Sequence, residues 1–144
     1  MTAEAALLSN HDSWHQPAAP SSATTVEPEL PLWAMEVADR LGQLLSLQSG
    51  WDSYSASPVQ VSAVETALEL ALLLAEPSTP APQAVPTVTG GVQLEWHCSG
   101  IDLEIEVHSR YKFGVYYENA RTGEICEADF MADLGQLRDW VRQL

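Results

Sequence analysis

From Val92 to Phe130 the chain alternates apolar and polar positions almost without interruption. Val92, Leu94, Trp96 and Cys98, then Ile101, Leu103, Ile105 and Val107, then Tyr111, Phe113, Val115 and Tyr117 occupy one parity. Glu95, Asp102, Glu104, Glu106, Glu127 and Asp129 occupy the other. Successive side chains of a strand point to opposite faces, so this period predicts an antiparallel sheet with one buried and one carboxylate-rich face. Gly90-Gly91 predicts a hairpin turn after a short strand near Val85 to Thr89, and Ser99-Gly100 predicts a second. Further turns are expected near Ser109 and at Asn119 to Gly123.

Outside that region the period changes to that of a helix. Pro31 suits a first turn, and Trp33, Val37, Leu41, Leu44, Leu45 and Gln48 follow on one stripe, predicting a helix over residues 31–48. Ser57, Pro58 and Gln60 have the form of an N-cap, first position and capping box for a second helix, with Val61, Val64, Leu68, Ala71, Leu72 and Ala75 as its apolar face. Proline-rich residues Pro77 to Pro86 predict a non-helical crossover. Asp133 with Gln136 predicts a capped C-terminal helix whose stripe is Leu134, Leu137, Val141 and Leu144. The expected fold is α+β: two N-terminal helices, an antiparallel meander of four to five strands and a C-terminal helix, with the helices on one face of the sheet. Residues 1–29 have scattered proline and no period, and read as a disordered tail in which Trp14, between His11 and His15, is the one unusual feature. Residues 30–144 are expected to form a single domain.

Opposed residues in an antiparallel pair share a face, so matching the apolar halves sets an expected register. Across Ser99-Gly100, Cys98 should face Ile101, Trp96 face Leu103, Glu95 face Glu104 and His97 face Asp102. Across the next turn Val107 is matched to Tyr111, which sets Lys112 beside Glu106, Gly114 beside Glu104 and Tyr116 beside Asp102. The last pair matches Tyr117 with Cys126 and Phe113 with Phe130, so that Asp129 lies next to Gly114 and Glu127 next to Tyr116. This register predicts a row of Glu95, Glu104, Gly114 and Asp129 across four strands. The row reads three ways: a solvated face, a docking surface for basic groups, or a divalent-cation site, although no loop has a calcium-binding spacing.

Charge narrows the partners. Across 144 residues there are 20 acidic and 6 basic side chains, a net −14 at pH 7. Nucleic-acid backbone and anionic lipid attract clustered Lys and Arg, so direct binding to either is not expected, whereas a basic protein is steered toward such a chain. The longest apolar run, Leu70 to Ala75, is far short of a membrane span, and the first basic residue is Arg40, which argues against a secretory signal. A cytoplasmic protein is expected, with Cys98 and Cys126 as free thiols on the apolar side of their strands. They lie on the opposite parity from His97 and His108, so a cysteine–histidine catalytic pair is not expected, nor is any cofactor or metal, for no phosphate loop, zinc spacing or nucleophile elbow is present.

The segment Gly50 to Pro58, GWDSYSASP, is the densest local motif. Trp51 and Tyr54 read as aromatic wedges between the helices or as a loop-borne contact site, and Asp52 as a turn residue or a site carboxylate. Together with PTVTGGVQLEW and LEIEV, this loop resembles an uncharacterised family of small bacterial proteins with a GWD-x-Y-x-A-x-P loop and a GG-x-x-LEW hairpin. The resemblance spans about Leu41 to Leu137 and implies a bacterial single domain, without catalytic residues. The expected function is that of a non-catalytic acidic binding protein, an antitoxin-, immunity- or inhibitor-like partner of a basic protein, nucleic-acid mimicry being one version. Its expected contact residues are Glu95, Glu104, Asp129, Asp102, Glu127, Trp51, Asp52 and Tyr54. The alternative is a small-ligand or divalent-metal-binding domain using Glu95, Glu104 and Asp129, with Asp52 and Trp51 contributing.

Overall fold

The computed structural model describes residue 27, residues 29–129 and residues 133–144. The tail expected over residues 1–29 and the pairing of Phe130 therefore lie almost wholly outside the described residues. In chain order the elements are α1 (Ala34–Leu44), α2 (Val61–Leu74), β1 (Gln83–Pro86), β2 (Val92–Cys98), β3 (Ile101–Ser109), β4 (Lys112–Asn119), β5 (Glu124–Asp129) and α3 (Leu134–Val141). The five strands form one antiparallel meander in the order β1-β2-β3-β4-β5. This is the α+β arrangement that the periods predict.

One face of the sheet is the core. Leu94, Ile101, Leu103, Ile105, Val107 and Tyr117 are fully buried there, against Val37, Leu41 and Leu44 of α1 and Ala63, Ala67, Leu70, Ala71 and Leu74 of α2. The alanines of α2 let its backbone approach the sheet, which turns the helix from the expected stripe: Val61 and Leu73 face solvent and Leu72 is only half-buried. The C-terminal helix docks through Trp140, stacked on Tyr117 with ring centroids 4.4 Å apart, an offset-stacked aromatic contact that the sequence stripe did not include. Asp133 caps this helix as expected, its Oδ1 accepting from the Gly135 and Gln136 amides.

Two boundaries differ from expectation. Ser57 is not the N-cap of α2. Residues 57–60 are extended and hydrogen-bonded to the β1–β2 turn, Ser57 N–H to Val88 O at 2.9 Å and Gln60 N–H to Gly90 O at 2.9 Å, and the helix starts at Val61 behind Gln60. Tertiary main-chain bonds outcompete the local capping pattern. β1 also lies two residues earlier than its expected start, because the turn spans Thr87 to Gly91, closed by Gly90 N–H to Thr87 O and Thr87 N–H to Gly91 O. The proline-rich crossover is pinned by two indoles: Trp33 donates to Thr79 O at 2.7 Å and Trp96 to Pro80 O at 2.9 Å. Buried carbonyls of a non-helical segment need such donors.

Register decides what the polar face brings together. Across Ser99-Gly100, both in the left-handed region at φ 55° and 73°, the pairs Cys98–Ile101, Trp96–Leu103, Glu95–Glu104 and His97–Asp102 form as expected. The β3–β4 pair does not follow the expected register. Val107 faces Phe113, Glu106 faces Gly114, Glu104 faces Tyr116 and Asp102 faces Glu118, with an irregularity between Val107 and Ser109. The hairpin turns tightly at Arg110-Tyr111, Tyr111 taking φ 55°, and His108 is the extra residue. The pairing moves by two residues, so every side chain keeps its face while its neighbours change. The β4–β5 pairs Gly114–Asp129, Tyr116–Glu127 and Tyr117–Cys126 are as expected.

Candidate functional site

The polar face of the sheet carries Gln93, Glu95 and His97 from β2, Asp102, Glu104 and Glu106 from β3, Lys112, Tyr116 and Glu118 from β4, and Ile125, Glu127 and Asp129 from β5. The expected row of Glu95, Glu104, Gly114 and Asp129 is corrected by the β3–β4 register. Glu95, Glu104, Tyr116 and Glu127 form one row, and Gln93, Glu106, Gly114 and Asp129 form the next. Glu95 and Glu104 thus stay adjacent, while Asp129 sits in another row two strands from Glu104. Glu118, which is not among the expected contact residues, joins the face because β4 runs on to Asn119.

The two halves of the face differ in how their charges are met. On β2 and β3, Gln93 Nε2 donates to Glu95 Oε1 at 2.9 Å and Glu104 Oε2 at 3.1 Å, bridging the like-charged pair. His97 Nδ1 lies 2.8 Å from Asp102 Oδ1 and its Nε2 lies 3.4 Å from Glu95 Oε2. On β4 the Tyr116 hydroxyl donates to Glu118 Oε2 at 2.7 Å, which with partial desolvation holds the phenol above its ordinary pKa. Glu127 and Asp129 stand on β5, the last strand of this half. Beside them lies a shallow hollow of about 270 Å³, floored at Gly114 and walled by Glu104, Glu106, His108, Tyr116, Glu127 and Asp129. Gly114 leaves this space open, for it carries no side chain between two acidic walls.

His97 makes the first half pH-sensitive. The hydrogen bond to Asp102 is the main cause that raises its pKa above the ordinary 6.5; desolvation opposes it, and the longer contact with Glu95 adds a smaller part. A raised folded-state pKa means the imidazolium stabilises the fold fully below the ordinary value, and that this contribution is lost as pH rises through the raised one. Both partners are about half exposed, so the effect on stability is small. Replacing Asp102 by Asn is expected to bring the His97 midpoint down toward its ordinary value in an NMR titration. An unchanged midpoint would show that the hydrogen bond is not populated in solution.

The Gly50–Pro58 loop is a separate place. Asp52 Oδ1 accepts from the Tyr54 amide at 2.9 Å and the Ala56 amide at 3.1 Å, bonds that hold its carboxyl below the usual range. Gly50 N–H reaches Ala56 O, Trp51 Nε1 donates to Ser57 O at 3.1 Å, and Ala56 is buried. Asp52 is therefore the turn residue of the two readings open in the sequence. Trp51 is half-buried and ties the loop to itself, whereas Tyr54 is 88% exposed and wedges nothing. Two of the sequence motifs meet here: the end of the GWDSYSASP loop is hydrogen-bonded to the Gly90-Gly91 turn through Ser57 and Gln60.

The thiols stay apart from the polar face. Cys98 and Cys126 are free and half-buried on the other side of the sheet, and burial pushes the Cys98 thiol up, away from thiolate character. Among the described residues no three His, Cys, Asp or Glu side chains converge as a metal site, and no helix is long and apolar enough to cross a membrane. Comparison with known proteins gives no match: no protein family, no curated sequence and no solved structure is significantly similar to the chain.

Proposed function

We propose that the protein is a non-catalytic, cytoplasmic binding protein that docks a basic protein partner through the β4–β5 half of its acidic sheet face. The observation that carries this reading is the pair Glu127 and Asp129, two carboxylates that flank the hollow over Gly114 on the last strand of the sheet. Exposed carboxylates held on a rigid sheet keep their hydration until a partner arrives, and long-range attraction then raises the association rate. A lysine or arginine side chain fits the hollow, with Tyr116 as one apolar wall for its stem. Antitoxin-, immunity- and inhibitor-like roles all use this chemistry, as does mimicry of a phosphate row. Glu95 and Asp102 act at longer range, since Gln93 and His97 already engage them.

The test is affinity capture from the native host with the full chain and with its Glu127→Gln, Asp129→Asn variant as paired baits. A basic protein should be retained by the first and depleted with the second, and its measured association rate at low salt should fall by about tenfold in the variant. Equal retention and an equal rate at low salt would reduce the face to a solvated surface.

A further inference from the structure

The two edges of the sheet are finished differently. β1 is four residues long and ends at Pro86, and its Ala84 carbonyl is occupied by Arg40 Nε of the covering helix α1 at 3.2 Å. Proline, shortness and a covering helix are the devices that stop an edge from recruiting another strand. β5 has none of them. It stands last in the sheet and pairs with β4 alone, so every second residue turns its N–H and C=O outward without a partner strand among the described residues. Among the described residues its guard is charge, from Glu124, Glu127 and Asp129.

We propose that the outer edge of β5 is a strand-addition site for an extended, lysine- or arginine-bearing segment of the partner. This rests on the acidic-docking reading above and specifies how the partner engages. An added strand would place its polar-face residues directly opposite Ile125, Glu127 and Asp129, where cross-strand cations pair with the two carboxylates. Ile125 is 63% exposed on an otherwise charged face and gives the segment an apolar contact between them and Glu118. A second copy of β5 is the wrong occupant. Registers that keep the two polar faces together bring the Glu127 carboxylates of both copies opposite or diagonal to each other, which is repulsive.

The probe is an end-blocked peptide of alternating lysine and valine, added to the full chain at low salt, with a control of identical sequence methylated on every backbone nitrogen. Amide exchange at alternate residues of β5 should slow by about tenfold or more with the first peptide and stay unchanged with the second, because only the first can extend the ladder. The Glu127→Lys, Asp129→Lys variant, its fold checked by unchanged exchange in β2 and β3, should lose that protection. Equal binding of both peptides without protection in β5 overturns strand addition and leaves side-chain docking standing. Failure of both peptides to bind the native chain overturns both readings. Retained β5 protection in the variant shows a strand site that does not select for charge, and overturns the basic occupant.

Discussion

Replacing Gly91 by alanine is expected to cost about 3 kcal/mol or more, a large share of the ~5–15 kcal/mol that holds a domain of this size. The reason is space. A Cβ at Gly91 would run into the backbone carbonyl oxygen of Val107 and crowd the Thr87 hydroxyl, and neither is the free end of a flexible side chain. Val107 is a core residue of β3 and Thr87 Oγ1 accepts the Gly91 amide, so relief requires moving the sheet or breaking the turn. Gly90 adds a second constraint: its φ is 88° and a Cβ there would press on Pro58 O at 2.8 Å. The turn that receives the GWDSYSASP loop is therefore built on two positions with no room for a side chain. Gly42 is the control, since nothing lies within 4 Å of its added Cβ inside α1, and alanine there should stabilise by about 0.5–1 kcal/mol. Urea melts of the two variants should move in opposite directions, and a Gly91→Ala protein as stable as the native one would show that Gly91 does not lie against the Val107 carbonyl as described.

The sheet was legible because alternation reports burial directly, while the site on it was only half legible because alternation is blind to a slip of two. A slip of one residue would have put Ile105 in water and Glu104 in the core, which the pattern forbids. A slip of two keeps both where they belong. The Ser99-Gly100 turn fixes its register through glycine and a tight two-residue loop, so Glu95–Glu104 and His97–Asp102 could be read in advance. No such residue marks the next turn, where Tyr111 takes the left-handed conformation and donates its amide to Thr66 Oγ1 of α2. That contact is tertiary, and with the bulge at His108 it moves Gly114 from beside Glu104 to beside Glu106. The same limit applies at Ser57, where local capping chemistry is overridden by hydrogen bonds to a turn about thirty residues further along the chain, Val88 and Gly90. Trp140 escaped because a stripe drawn through aliphatic residues left out the indole that stacks on Tyr117.

Leu103→Ala should cost about 2–5 kcal/mol, whereas Glu104→Ala, one residue further on, should stay within about 0.5 kcal/mol of the native protein. Leu103 has no exposed surface and faces Trp96 and Tyr117 on the neighbouring strands, both themselves buried. Truncation there leaves a cavity that a five-stranded sheet under two helices cannot collapse to fill, and the lost contacts add to the lost transfer energy. Glu104 lies directly opposite Glu95, a like-charge pair that costs a few tenths to about 1 kcal/mol unless something offsets it. Gln93 Nε2 is the offset, and removing Glu104 forfeits one of its hydrogen bonds while relieving the repulsion. The two changes are opposed and of similar size, so their sum is near zero. Comparable losses at both positions would mean that the polar face packs against something as the core does. A large loss at Glu104 alone would show that its carboxylate holds β2 to β3, and the acidic row would then be part of the scaffold and no longer free to serve a partner.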